Sequence, residues 1–430
     1  MKSTSRRKLA VRLLLAAVAL ALTHGLIRLA PDRFEVWNAR IGDQLHLLEA
    51  DTGFERFAVP PQVVHIDANF YYTRSVHAEV IRTLAAAGVQ TQIIDSTFTG
   101  RVGDAEDIPL IEAVSEAPGV LLGISFGRFG HQLQLQPVKD ALSAAESRLL
   151  ARAAWDVQMH FSPANLIAAA QPTVSAPEIA ESAAGQGVLN LLPDADGVLR
   201  RIPLLVRYRG AVYPSISLLA VCRYLGISAG NVRVEPGGIV LSAPELSREN
   251  FPQSEMRIPI DRHGSLIVDF KRLRRPISHY SYIQLSEAAE DAAKLHSLRE
   301  ALAGKIAVVS ETVDKRFRLP AVADTTMRSS GEIHVAIIEN LLAGEWIRPM
   351  SPWMTLAVEL VLLGILLVAS LQDSSIRLAA VGTAMIGVYA VAAFWGFDQS
   401  RLLLPFVGPL LLTAVALALF LAAIGVEKAV

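Results

Sequence analysis

The chain has 430 residues, a formal net charge of −1 and 19% charged residues, yet 52% of its residues are hydrophobic. This composition is too apolar for a disordered protein, and a net charge near zero gives no field that would attract nucleic acid. The apolar excess lies in four stretches, residues 9–30, 352–371, 376–397 and 402–424. The sequence therefore excludes a purely soluble protein and also a polytopic transporter.

The first apolar stretch follows a basic N-terminus, with Lys2, Arg6, Arg7 and Lys8 in the first eight residues. Basic flanks stay on the cytoplasmic side of a membrane helix, and we expect Arg12 to snorkel towards that side. The small-x-small run Ala19-Leu20-Ala21 leaves a cleaved signal peptide as the alternative. Because the apolar character continues to residue 30, long enough to span a bilayer, we favour a retained anchor.

Alternation of the four spans then predicts the domain organisation. Residues 1–30 form a cytoplasmic tip and the first span, and residues 31–351 form a domain in the periplasm or outside a bacterial cell. Residues 352–424 hold three further spans, and residues 425–430 are a short cytoplasmic tail. Because so short a tail cannot fold, we expect no output domain on this chain and a cytoplasmic location for both termini.

Glu359 lies inside the second span, where an ionised carboxylate is costly. We expect it to face the other helices and to form a hydrogen bond with a group such as Thr383, Tyr389 or Thr413. Two roles stay open for it. It is either a relay or packing switch between helices, or a polar contact that orients its own helix.

The body between the spans alternates apolar strands with amphipathic helices. In chain order the pattern predicts strands at Val63–Asp67, Val89–Asp95, Val120–Phe126, Val188–Leu192, Ile202–Tyr208 and Lys305–Ser310, helices at Ser75–Ala87, Ile108–Glu116 and Gly331–Leu342, and hairpins at Val232–Leu241 and Met256–Phe270. Strand–helix–strand units of this spacing favour parallel pairing. We therefore predict an α/β domain with a mixed, partly parallel sheet, together with four transmembrane helices. The single cysteine, Cys222, lies in an apolar helical pattern and is expected to be buried.

Few motifs in the body point to chemistry. Gly123–Gly127 matches the G-x-S-x-G elbow around Ser125, but the residues after it lack the helical pattern that a nucleophile elbow needs. Asp194–Gly197 opens like a calcium loop, yet the later ligand positions hold Val198 and Leu205, so a plain turn is expected. His65 has no metal-ligand spacing to another histidine. We expect no cofactor, no metal site and no catalytic residue.

Three carboxylates follow apolar strands and are the candidate ligand-binding residues: Asp67, Asp95 and Asp314. The strands before Asp67 and Asp95 should be parallel and close, and the carboxyl ends of parallel strands form the crevice in which α/β sheets bind ligands. Ligand contact, helix or loop capping and acid–base catalysis stay open for them. Capping would bring them to the Ser75 helix or to Ser96 and Thr97.

These segments, taken in order, resemble the type 2 CHASE domains, extracellular sensory domains associated with bacterial adenylate cyclases and histidine kinases. The resemblance rests on Val64–Asp67, Ile93–Asp95, Gly187–Asn190, Asp194–Arg201, Tyr213–Ser215, Leu302–Val309, Asp314, Phe317, Pro320, Gly331–Ala336 and Asn340–Gly344. It implies a sensory domain with one membrane helix before it and three after it. The chain departs from the family at Phe70–Arg74, where a Trp-Pro-rich stretch is usual, at Ser310, where a glycine is usual, and at Leu319, which precedes Pro320 where threonine is common. The ligand type therefore cannot be carried over.

The resemblance and the topology together predict a membrane-anchored sensor without enzymatic activity. It would bind an unknown extracytoplasmic ligand or protein and act through a homo-oligomer or through an effector in trans. An envelope structural or assembly protein is the alternative. A periplasmic hydrolase using Asp67, Asp95 or Ser125 is a further one, which requires a histidine or second acid beside them.

Overall fold

The computed structural model describes residues 2–51, 62–68, 73–130, 142–160, 162–242, 255–270, 273, 277–311, 316–320, 327–344, 346–372 and 374–429. The chain divides into two compact units, Met1–Phe54 with Ile347–Val430 and Glu55–Trp346. The first unit is helical. The second is a mixed α/β fold, which confirms the predicted fold class.

The elements are as follows. The helices are α1 (Lys2–Leu29), α2 (Pro31–Asp51), α3 (Arg74–Ala86), α4 (Asp104–Glu116), α5 (Ala144–Ala153), α6 (Pro177–Ser182), α7 (Ile216–Tyr224), α8 (Tyr282–Glu290), α9 (Ala292–Leu302), α10 (Ser330–Ala343), α11 (Pro352–Ser370), α12 (Ser375–Ser400) and α13 (Val407–Ala429). The strands are β1 (Val63–Ala68), β2 (Thr91–Ile94), β3 (Val120–Gly130), β4 (Gln158–Met159), β5 (Ala168–Thr173), β6 (Gly185–Val188), β7 (Arg201–Pro203), β8 (Leu205–Tyr208), β9 (Ala211–Pro214), β10 (Val232–Glu235), β11 (Gly238–Ser242), β12 (Glu255–Pro259), β13 (Ser265–Ile267), β14 (His279–Ser281), β15 (Ile306–Glu311), β16 (Arg316–Phe317), β17 (Arg328–Ser329), β18 (Arg348–Pro349) and β19 (Leu402–Leu403).

The helical unit contains the candidate membrane spans. Within the described residues, α1 from Arg6, together with α11, α12 and α13, is long and apolar enough to cross a membrane. These helices coincide with the four apolar stretches, so the prediction of one early and three late spans is confirmed. Helix α2 also belongs to this unit, although sequence analysis assigned it to the exterior domain. The compartment of residues 31–351 stays a prediction.

Polar contacts join α1 and α2 to α13. The Asn38 side-chain oxygen accepts hydrogen bonds from the backbone N–H groups of Phe406 at 3.0 Å and Val407 at 2.8 Å, and so satisfies the start of α13. The Arg12 guanidinium donates to the Glu427 carboxylate at 2.9 Å, and its side chain is only 1% exposed. Glu427, in the predicted cytoplasmic tail, thus provides a counter-charge for Arg12, and the orientation of Arg12 towards that side of the membrane stays a prediction.

The larger sheet of the α/β unit runs in the order β14-β1-β15-β2-β3-β5-β8-β9, with β6 also pairing with β3. Pairing is parallel among β14, β1, β15 and β2, and β3 is parallel to β2 and β6. Beyond residue 124, β3 pairs antiparallel with β5. The sheet is therefore mixed, as predicted. A smaller sheet has the order β12-β11-β10-β4.

Helices cover both faces of the parallel strands. Helices α7 and α10 pack on one face against Val63, Ile93 and Val308, while α3, α4, α8 and α9 pack on the other against Val64 and Ile94. Alternate residues of each strand point to opposite faces, and burial on both faces explains the near-continuous apolar runs in the sequence. Cys222 of α7 is buried on the first face, as predicted.

The predicted hairpin over Met256–Phe270 is wrong, although its turn forms. Gly264 donates its N–H to the Asp261 carbonyl at 3.1 Å and has φ near +82°. The two strands then diverge, because β12 pairs antiparallel with β11 while β13 pairs with β7. The hairpin over Val232–Leu241 is confirmed as β10 and β11.

A buried ion pair fixes the start of α3 to α4. The Arg74 guanidinium donates to the Asp107 carboxylate at 2.5 Å and to the carbonyl oxygens of Thr99 and Gly100. Burial would raise the pKa of Asp107, but hydrogen bonds from Arg74 and from the N–H groups of Gly103 and Val102 outweigh it and hold the pKa below its usual value. Arg74 thus fixes the start of α3 to α4.

We expect Asp107→Asn to lower the free energy of unfolding by about 3–5 kcal/mol, because it leaves the buried Arg74 charge without its counter-charge. Asp104→Asn is the matched control on the same helix, since its pair with Arg101 is exposed on both sides and should contribute less than about 1 kcal/mol. Urea unfolding of the full chain in detergent, followed by tryptophan fluorescence, measures both. Equal effects of the two substitutions would contradict a stabilising role for the buried pair.

Candidate functional site

The face of the sheet under α10 changes from aliphatic to polar towards the carboxyl ends of the strands. The change runs from Val63 to His65 and Asp67 on β1, from Val308 to Ser310 on β15, and from Ile93 to Asp95 after β2. His279 on β14 pairs in register with His65. We call His65, Asp67, Asp95, His279, Ser310 and Ser330 the polar cluster.

Asp67 and Asp95 are both buried, and they have different partners. Strand β15 lies between β1 and β2, so the two strands are parallel without being neighbours. An Asp67 carboxylate oxygen lies 3.4 Å from His279 Nε2, and Asp95 accepts a hydrogen bond from the Ser330 hydroxyl. The N–H of Ser75, which Asp67 might have capped, instead donates to Glu106 at 2.9 Å.

The two other predicted residues lie elsewhere. Asp314 falls outside the described residues. Glu359 of α11 is buried in the helical unit, where its carboxylate lies 3.0 Å from His24 Nε2 of α1. The expected partners Tyr389 and Thr413 donate instead to backbone carbonyl oxygens of Pro405 and Pro409.

His65 is the centre of the polar cluster. Its Nδ1 lies 3.2 Å from Nδ1 of His279, and its Nε2 lies 2.8 Å from the hydroxyl oxygen of Ser310. His65 is only 1% exposed, whereas the His279 side chain is 48% exposed. The cluster therefore has one buried imidazole and one that meets solvent.

The first turn of α10 closes over these residues. Ser329 caps the helix in a capping box with Glu332, and Ser330 provides the hydroxyl that reaches Asp95. A Cβ at Gly331 would lie 2.0 Å from Ser310 Oγ and 2.5 Å from His65 Nε2. Only glycine therefore allows the helix to approach the sheet this closely.

Burial and charge set the protonation of the site. Burial lowers the pKa of His65 from 6.5 to about 4; His279 adds to this lowering, and Glu332 opposes it. Burial would raise the pKa of Glu332, but the Ser329 N–H and the neighbouring Arg328 outweigh it and keep the pKa below its usual value. The buried imidazole is thus neutral beside an ionised carboxylate.

The other motifs carry no comparable arrangement. The carboxylates of Asp194 and Asp196 are held by Arg200 at 2.8–3.1 Å, in the turn that the sequence predicts. Ser125 lies within β3, which continues to Gly130, so the helix that an elbow needs does not follow it. Among the residues that the structure describes, no three His, Cys, Asp or Glu side chains are grouped so as to hold a metal ion.

Sequence reasoning missed His279, Ser310 and Ser330, and it gave His65 no role. One signal was available, since His65 and Asp67 are two apart on one strand and must share a face. Ser310 was noted only as a departure from the usual glycine. His279 belongs to a three-residue strand that carries no periodic pattern of its own.

The comparisons with known proteins agree with this architecture. The family model described as the CHASE2 domain matches residues 13–371, which include α1 from residue 13 onward, the whole α/β unit and α11. No curated protein and no solved structure matches the chain.

We expect His65→Gln to reduce the loss of stability on acidification. Because the pKa of His65 is about 4 in the folded chain and 6.5 in the unfolded chain, between these pH values the unfolded chain binds a proton at His65 and the folded chain does not. His65 therefore leaves the free energy of unfolding unchanged above pH 6.5 and lowers it by about 3 kcal/mol as the pH falls towards 4. Unfolding of the full chain in detergent at several pH values measures the slope.

The matched control is His296→Gln, whose imidazole is 74% exposed. It should leave the pH dependence of unfolding as in the unmodified chain. A slope between pH 6.5 and pH 4 that is unchanged by His65→Gln would show that the buried imidazole does not resist protonation.

Proposed function

Because the chain belongs to the CHASE2 domain family, a family of extracellular sensory domains, we propose that it is a membrane-anchored sensor. The observation that carries this proposal is the position of α10. Its first turn closes over the polar cluster, it ends at Ala343, and the chain enters α11 at Pro352. A change in the cluster therefore acts on a helix that is linked to a span by eight residues of chain.

The proposal places the α/β unit in the periplasm or at the exterior of a bacterial inner membrane. Four apolar helices support membrane association, and the basic residues before α1 support a cytoplasmic N-terminus. Alternation of the spans then brings the end of α13 back to the cytoplasm. The membrane and an extracytoplasmic ligand or protein are the proposed partners of the chain.

Within the helical unit, α1 is the helix through which a shift of α11 would spread. It contacts α11 through the His24–Glu359 pair and α13 through the Arg12–Glu427 pair. A ligand changes the populations of two helix arrangements only to the extent that it binds one arrangement more tightly than the other. We propose that the arrangement of these helices is passed on to a second copy of the chain or to an effector in trans.

The proposal assigns no reaction to the polar cluster. The contact between Ser310 and His65 has the length of a nucleophile–base pair in a hydrolase. Ser310 is 3% exposed and lies directly beneath Gly331, however, so a substrate would have to displace α10 before it reached the hydroxyl. This burial favours sensing over hydrolysis.

The topology can be tested with single cysteines, because burial raises the pKa of the Cys222 thiol to about 12 and keeps it unreactive. Gln399→Cys and Gln372→Cys change the same residue type at the two ends of α12. In intact spheroplasts, a membrane-impermeant maleimide should label Gln399→Cys and the exposed His296→Cys. It should label Gln372→Cys only after lysis, and the reverse pattern would overturn the orientation.

Coupling between the cluster and the spans can be tested with Gly331→Ala. Its Cβ has no room against Ser310 and His65, so the start of α10 must shift. In full-length chain in lipid nanodiscs, we expect faster hydrogen–deuterium exchange in the first turns of α10, and changed exchange in α11 and α1. Gly230→Ala is the matched control, because nothing lies within 4 Å of its added Cβ.

A response confined to the α/β unit would contradict the sensor proposal, since the signal would then end at α10. Ser330→Ala gives a milder second variant, because it removes only the hydrogen bond to Asp95. It should act in the same direction and to a smaller degree.

A further inference from the structure

Three side chains on neighbouring strands form a continuous chain of contacts in the polar cluster. His279 on β14 contacts His65 on β1 at 3.2 Å between the two Nδ1 atoms, and His65 Nε2 lies 2.8 Å from Ser310 Oγ on β15. The chain starts at the half-exposed His279 and ends at a hydroxyl beneath the first turn of α10. It thus joins solvent to the one helix end that closes the site.

Elementary hydrogen bonding fixes the direction of this chain when both imidazoles are neutral. A carboxylate only accepts, so Asp67, at 3.4 Å, favours a proton on His279 Nε2. His279 Nδ1 then accepts from His65 Nδ1–H. His65 Nε2, left without a proton, accepts from the Ser310 hydroxyl.

On the basis of the proposed sensor function, we propose that the proton is a ligand of this site, taken up at His279 and registered at Ser310. A proton added to His279 Nδ1 turns that atom into a donor. His65 must then accept at Nδ1 and carry its own proton on Nε2, which donates to Ser310. One proton entering at the surface thereby reverses every hydrogen bond in the chain and leaves His65 neutral.

The surroundings favour this outcome over protonation of both rings. Two imidazolium groups would set two N–H donors against each other at 3.2 Å with no acceptor between them. The charged groups around the pair come from several elements: Asp67 on β1, Asp95 after β2, Glu332 on α10 and Arg328 on β17. Asp67 lies against His279, the ring that meets solvent, so the added charge is expected there.

Reversal changes how α10 is held. After reversal, the Ser310 oxygen accepts from His65, and its hydrogen must find another acceptor under Gly331. Acidification therefore weakens the attachment of the α10 N-terminal end to β1 and β15.

The test is a pH titration of the full-length chain in nanodiscs, with protons as the only ligand. Nitrogen-15 NMR of labelled histidines should show His65 changing from the Nδ1–H to the Nε2–H tautomer in step with charging of His279. Hydrogen–deuterium exchange at residues 330–335 should become faster over the same pH range. His65 that keeps one tautomer, or that becomes charged together with His279, overturns the proposal.

Three variants sharpen the result. His279→Gln should abolish the pH dependence of exchange in α10, whereas the exposed His296→Gln should keep it. Asp67→Asn should change the midpoint of this pH dependence, because it removes the negative charge that contacts His279 at 3.4 Å. An unchanged midpoint in His279→Gln overturns proton uptake at this site, with circular dichroism confirming that the variant is folded.

This test is separate from the test of the sensor function. If α10 responds to pH while α11 and α1 do not, the proton site stands and transmission to the spans fails. If Gly331→Ala alters the spans while the His65 tautomer does not respond to pH, the sensor stands and the proton is not its ligand.

Discussion

The α/β unit depends on how closely the first turn of α10 approaches β1 and β15. Gly331 leaves no space for a side chain above Ser310 and His65, so these two polar groups are sealed from water. Buried polar groups require hydrogen-bond partners, and among the described residues the contacts of these two groups run along the strand ends through His279 and towards Asp67. The same turn carries Ser330 to Asp95. One helix end therefore covers His65 and Ser310 and also provides the partner of Asp95.

The sequence predicted those helices and strands that are determined by a short stretch of consecutive residues. Dense apolar runs predicted β1 and β15, and amphipathic patterns ended by Gly88 and Gly344 predicted α3 and α10. Hydropathy predicted the four candidate spans, and the order of the segments predicted the family. What could not be predicted is which strands become neighbours, because pairing joins residues far apart in the chain. Strand β15 enters between β1 and β2, and β14 adds His279 at an edge.

This explains why the candidate site was predicted only in part. Asp67 and Asp95 are buried at the strand ends as expected, but their partners His279 and Ser330 lie more than 200 residues away in the chain. His65 was given no role because its neighbours in space were unknown. The wrong hairpin over Met256–Phe270 has the same origin: its turn is local and forms, whereas its strands follow distant partners β11 and β7.

In the helical unit, too, buried polar side chains have partners on other helices, and these contacts limit how the helices can move. Two polar contacts between its helices include α1 and each has one buried partner: His24 with the buried Glu359 of α11, and the buried Arg12 with Glu427 of α13. Separation of these helices would leave the buried Arg12 and Glu359 side chains without these partners, which is unfavourable in an apolar setting. Small shifts that preserve both pairs cost far less. A displacement that reaches α11 from α10 is therefore expected to carry α1 and α13 with it, rather than to open the helical unit.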